Sequence, residues 1–176
     1  MSPKVLRHLI INASVARACG GADATHPVSK RCRDFLRAVM DICHGVVMTS
    51  DISLEWNSHQ SNFARRWRVG MVARKKVHPV HDVTNSELLD KVIRTATSQK
   101  DREAILKDFC LIEAAMATDQ TVISLDEQAR NLFAEAARTV GELRSIVWVN
   151  PAKTTEQPIS WLENGAKPEK KRRLGF

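Results

Sequence analysis

Three carboxylates and one amide, Glu55, Asp108, Asp126 and Asn12, each stand beside an apolar run in this 176-residue chain. Gathered at one point they would form an oxygen-ligand site for a divalent cation, with one member altered. Several carboxylates in one place repel each other and stay ionised only where a cation neutralises them. Ligands that are all oxygen select Mg²⁺ or Mn²⁺ over zinc or copper. Taken singly, the residues have simpler uses. Asn12 and Asp126 fit helix caps, and Glu55 and Asp108 fit solvent-facing helix positions. It is their joint placement that points to a cation.

The elements that must position them read as follows. Residues 5–11 are apolar and β-branched, a buried strand that runs out at Asn12 into a small-residue helix stopped by Gly20-Gly21. Residues 28–43 repeat apolar positions at helical spacing. Val46-Val47-Met48 is a second buried strand. Thr49-Ser50-Asp51 then caps a long helix carrying Glu55, predicted to reach Lys76 with a bend at Gly70. Residues 85–97 and 101–117 are two further helices, 121–125 a strand, 127–137 a helix opened by Asp126, and 144–149 a last strand before Asn150-Pro151. Apolar strands separated by helices predict an α/β fold, a parallel sheet covered on both faces. Residues 1–150 form one domain, and 151–176 a C-terminal segment with a basic tail, pinned back by Ile159, Trp161 and Leu162.

In an open parallel sheet, functional residues gather beyond the carboxyl ends of the strands. Asn12 and Asp126 sit at such ends, and Glu55 lies one turn into the helix leaving the second. From Asp108 to its helix end the rise is about 14 Å, and from Thr121 to Asp126 the strand climbs back roughly 17 Å. The two lengths nearly cancel, so all four positions can meet at one edge. Asp119 falls at the opposite edge, and Glu127 is expected to be exposed.

These stretches, Ile10-Ile11-Asn12-Ala13-Ser14, Thr49 through Glu55, Asp108-Phe109-Cys110-Leu111-Ile112-Glu113-Ala114-Ala115 and Val122-Ile123-Ser124-Leu125-Asp126, resemble the PIN-domain ribonucleases. The resemblance spans roughly residues 5–150, with Asp51 a substitute for Glu55. It implies an α/β/α sandwich and an Mg²⁺- or Mn²⁺-dependent endoribonuclease. Glu55, Asp108 and Asp126 would hold the metal, and Ser14 and Ser124 would support them. It also implies a toxin of a toxin–antitoxin pair or a bacterial defence effector, with an antitoxin or defence-system partner, as a homodimer. The substrate would be RNA, single-stranded or structured, tRNA included. Where the family pattern has aspartate, this chain has Asn12. The amide keeps the shape and one oxygen but loses the charge, as an inactivating substitution in a toxic chain or as a natural variant with weakened catalysis. An RNA-binding module with a dead nuclease fold is the alternative. A receiver-type signalling domain expects an acidic pair after the first strand, which residues 8–14 do not provide.

The charge of +7 is unevenly placed. Arg65, Arg66, Arg68, Arg74, Lys75 and Lys76 fall between Trp56 and His81 with no acidic residue among them, and Lys167 to Arg173 closes the chain. Basic patches attract polyanions through counterion release. Arg65, Arg66 and Arg68, about three turns beyond Glu55 on one helix, are the candidates for gripping RNA. A solvated helix face and a disordered tail explain the same pattern. Trp56, Phe63 and Trp67 share one helix face, which reads as a core or dimer stripe rather than as base-stacking rings. Cys19, Cys32, Cys43 and Cys110 lack metal spacing and read as buried reduced thiols, and His78-Pro79-Val80-His81 reads as a loop. No apolar run approaches the roughly 20 residues that span a bilayer, and the N-terminal stretch does not read as a secretion signal, so the expected compartment is the cytoplasm.

Overall fold

The computed structural model describes residues 3–176; Met1 and Ser2, the first residues of the stretch weighed as a secretion signal, lie outside them. The apolar runs form short strands buried on both faces: β1 (His8–Ile11), β2 (Gly45–Met48), β4 (Thr121–Ile123) and β5 (Val147–Val149), joined by an edge strand β3 (Val77–Pro79). All pairings are parallel and the order is β3-β2-β1-β4-β5. Helices α1 (Ala13–Ala18), α2 (Pro27–Ile42), α3 (Ser50–His59), α4 (Asn62–Ala73), α5 (Ser86–Ile93), α6 (Gln99–Met116), α7 (Glu127–Ala136) and α8 (Pro158–Glu163) cover the two faces. This is the predicted α/β sandwich. The chain grows outward from β1 to β3, then crosses back through α5 and α6 to place β4 on the other side of β1. Where the winding reverses, between β1 and β4, the carboxyl ends of two neighbouring strands leave a crevice.

Two expectations fail between Thr49 and Pro79. The single helix to Lys76 is two, broken where Gln60 turns extended and the Ser61 hydroxyl accepts from Ala64 N at 3.2 Å to start α4. Six consecutive polar residues, Asn57 to Asn62, interrupt the apolar repeat there. Gly70, within α4, lets Met40 of α2 close in, and a Cβ would meet the Met40 methyl at 2.9 Å. The residues read as a loop after Lys76 include β3, in register with Val46 to Met48. Trp56 and Trp67, on opposite arms of the α3–α4 hairpin, stack with ring centres 5.9 Å apart and are buried, so the stripe belongs to the core. Cys19 and Cys32 are buried, and burial pushes both thiols up to about 12; Cys43, against expectation, is exposed.

The C-terminal segment is part of the fold. Buried Trp161 and Leu162 on α8 pack against α2, and His44 ties the segment to the chain start: its Nδ1 accepts from Arg7 N and its Nε2 donates to Leu162 O, each at 3.0 Å. Burial holds the His44 pKa below the ordinary histidine value, as a neutral ring with one donor and one acceptor nitrogen requires. The basic tail is ordered rather than loose. Buried Arg172 bonds Glu169 at 2.7 Å and lies over Trp161, while Arg173 pairs antiparallel with Val147 and Leu174 N donates to Ile146 O at 2.9 Å. The tail thereby covers the β5 edge. Among the described residues no helix is long and apolar enough to cross a membrane.

Candidate functional site

Asn12 leaves β1 extended, its backbone N–H donating to Ile123 O at 2.9 Å, and it caps α1 with Oδ1 3.5 Å from Ser14 N. Its Nδ2 donates to Ser124 Oγ at 2.9 Å. Fully buried Ser124 directly follows β4, and its hydroxyl also accepts from Asp126 N at 3.0 Å. Asp126 in turn caps α7, with Oδ1 accepting from Ala129 N at 2.9 Å. One serine thus fixes both strand-end residues across the switch point. Ser14 Oγ accepts from Leu125 N at 3.3 Å, holding the same turn from the other side.

Asp108 enters from α6. The helix buries the stripe Ile105, Asp108, Phe109, Leu111 and Ile112, and the carboxylate replaces an apolar side chain on that stripe at the level of Asp126. Burial pushes the Asp108 carboxyl up to about 6, aided by the charge of Asp126, by a hydrogen bond between the two carboxyls, and by the charge of Glu55; Lys107 pulls the other way. Asp108 is therefore held toward its neutral form unless a counter-charge is present. Glu55 comes from α3, where buried Trp56 donates to Ile11 O at 2.8 Å and docks the helix against the end of β1.

All four sequence-predicted positions line one cleft, together with Ser14, Arg17, His59, Lys107 and Cys110. Its cavity of about 130 Å³ is small beside the roughly 300–1,000 Å³ of pockets that engulf organic ligands. It suits an ion, waters and a polymer backbone lying across the mouth. The three carboxylates are not equivalent. Asp108 is buried and feels the charge of Asp126, whereas Glu55 is exposed with Oε2 3.6 Å from His59 Nε2. Among the described residues no three His, Cys, Asp or Glu side chains converge closely enough to hold a metal ion. Two carboxylates in one cleft still fit Mg²⁺ in kind, since that ion keeps most of its water and commonly takes one or two carboxylates plus substrate phosphates.

The other predicted residues lie elsewhere. Asp51 faces a neighbouring cleft with His81, Asp82 and Glu113. Asp119 caps the opposite edge, accepting from His8 N at 2.8 Å. Glu127 is not exposed; it bonds Asn150 Nδ2 and Lys153 Nζ, each at 2.9 Å, in the α7–β5 network. Arg65, Arg66 and Arg68 belong to α4 and do not line the cleft, because the break at Gln60 takes them off the axis of α3. Arg68 is committed to Asn57 Oδ1 at 2.9 Å and Ser53 Oγ at 3.0 Å, bracing the hairpin over Trp56. Arg17 and Lys107, on the cleft wall, carried no pattern in the sequence: each is an ordinary basic residue on the exposed side of a helix.

The raised Asp108 value has a measurable consequence. Against about 3.9 in an unfolded chain, titration near 6 in the fold gives the folded state the extra proton between about pH 4 and 6, so stability falls as pH rises through that window. Asp108→Asn is expected to stabilise the metal-free chain at pH 7 by roughly 1–2 kcal/mol, after discounting for solvent at the cleft mouth, and to lose that advantage near pH 4. Urea unfolding at the two pH values tests this; an equal difference at both would mean that Asp108 is not strained by its surroundings.

Comparison with known proteins finds no family model, no curated protein and no solved structure that matches this chain.

Proposed function

We propose that the cleft is a metal-dependent endoribonuclease site of PIN-domain type, weakened in this chain by the amide at position 12. One observation carries the reading: residues singled out for oxygen-ligand chemistry, from four separate stretches, line a single cleft at the switch point. Asp108 and Asp126 would hold Mg²⁺ or Mn²⁺, with Asn12 Oδ1 and Glu55 as the weaker donors. The ion would activate water and stabilise the departing 3′ oxygen. Ser124 keeps Asn12 and the Asp126 turn in place, and Ser14 fixes the backbone between them. The biological setting that goes with this reading is a toxin paired with an antitoxin, or a defence effector with its regulator, acting as a homodimer on RNA in the cytoplasm.

A second reading, an RNA-binding module of the same fold that does not cut, is favoured by one detail. Asn12 presents its amide nitrogen to Ser124 and serves as the cap of α1, so the position works as structure without any ion. Cleavage assays separate the two. Mn²⁺-dependent internal cleavage of a single-stranded RNA is expected in an Asn12→Asp chain, with a loss of about a hundredfold or more on adding Asp108→Asn or Asp126→Asn. Cleavage that survives both changes, or that persists in EDTA, sinks the metal-nuclease reading.

A further inference from the structure

We propose that Arg17 and Lys107 form a two-pronged phosphate clamp over the acidic cleft, so that the site engages the phosphates of a polynucleotide strand on either side of the one it acts on. The inference rests on the nuclease reading for what happens between the prongs, and on the cleft geometry for the prongs themselves.

Arg17 lies in the last turn of α1, one turn beyond Ser14, and Lys107 directly precedes Asp108 on α6; the two helices contribute different walls of the cleft. Both side chains are exposed, and among the described residues neither forms an ion pair, although three carboxylates line the same cleft. Glu55 meets His59 instead, and Asp108 is buried in the same cleft as Asp126. A pocket meant for a bare cation gains nothing from two positive side chains at its mouth, since like charges lower the affinity for the ion. A pocket meant for an anion alone gains nothing from buried carboxylates. Lining of both signs suits a ternary arrangement, in which a cation sits on the acids and an anionic ester is steered by the bases. The small cavity agrees: phosphates spaced along a strand can reach the rim from both sides while the nucleosides stay outside. The α4 arginines cannot take this part, since they are off the cleft and Arg68 is already bonded.

The test is polarisation of a fluorescein-labelled single-stranded RNA bound to the full chain in EDTA, over a range of salt. Arg17→Gln and Lys107→Gln are each expected to weaken binding about three- to tenfold and to reduce the slope of log affinity against log salt by about 0.7, with both effects accumulating in the double variant. Arg17→Lys and Lys107→Arg should restore most of the affinity, and Arg94→Gln, remote from the cleft, should leave it unchanged. A single-stranded DNA of the same length should show the same fold losses, because the clamp reads phosphate and not the 2′-hydroxyl. Unchanged affinity and slope in the double variant, with an unchanged melting temperature, overturns the clamp, as does failure of the parent chain to bind RNA. The two readings fail separately. An Asn12→Asp chain that binds through these residues but does not cut leaves the clamp standing and removes the nuclease. Undiminished kcat/KM in Asn12→Asp carrying both glutamines does the reverse.

Discussion

Asn12→Asp is expected to cut single-stranded RNA at least about a hundredfold faster than the unchanged chain in Mg²⁺ or Mn²⁺, and no faster in EDTA. The reason is electrostatic and local. Ser124 Oγ now accepts from the Asn12 amide and from Asp126 N, two donors to one oxygen. An aspartate of the same shape would accept from that hydroxyl instead, keep its other oxygen on Ser14 N, and bring a full negative charge into the cleft that Asp108 and Asp126 line. A further carboxylate near Asp108, whose own charge is already disfavoured by burial, raises the repulsion in the empty site and the attraction for a divalent ion together. The substitution therefore predicts a second, linked effect: a lower melting temperature in EDTA, recovered by Mn²⁺ more fully than in the unchanged chain. Equal cleavage rates with and without the aspartate would show that position 12 is no ligand, and would favour the non-cutting RNA-binding reading.

Trp56→Ala should lower unfolding stability by at least about 4 kcal/mol, a large part of the roughly 5–15 kcal/mol that such a domain possesses. Three effects combine at this residue. The indole is fully buried, so its removal leaves a large cavity between α3 and the sheet. The Ile11 carbonyl loses its 2.8 Å partner at the strand end, which leaves a buried acceptor unpaired at about 1–3 kcal/mol. The stack on Trp67 also disappears, and with it the surface that Arg68 covers. Trp56→Phe separates these effects, since it keeps most of the volume and loses only the N–H. Its expected loss is about 1–3 kcal/mol, and urea unfolding of both variants measures the difference. A loss below about 1 kcal/mol for Trp56→Ala would mean that α3 is docked by something other than the indole, and that the placement of Glu55 does not depend on it.

Most of the sheet was legible because fully buried parallel strands are written as unbroken apolar runs: Leu9-Ile10-Ile11, Val46-Val47-Met48 and Thr121-Val122-Ile123 show no alternation to mislead a reader. The same rule explains the miss at β3. An edge strand of three residues that includes His78 and Pro79 has neither the length nor the composition of a buried one. The break between α3 and α4 was written in the polar run Asn57 to Asn62 and in Ser61 as a cap, but the apolar residues on either side suggested one continuous helix. Asn12, Asp108 and Asp126 could be brought together from element lengths alone, because rises along a helix and a strand are fixed by backbone geometry. How Glu55 is turned could not, since a carboxylate one turn before a histidine chooses its partner by side-chain geometry. The basic tail looked loose by composition, yet buried Leu174, buried Arg172 over Trp161 and the β5 edge hold it in place.

That ordering bears on how copies of the molecule can meet. With Arg173 and Leu174 laid along β5, and Pro79 withholding an N–H from the far rim at β3, neither flank offers a length of free backbone on which a neighbour could continue the ladder. The ladder thus closes at five strands, and a second copy would not extend it at either flank.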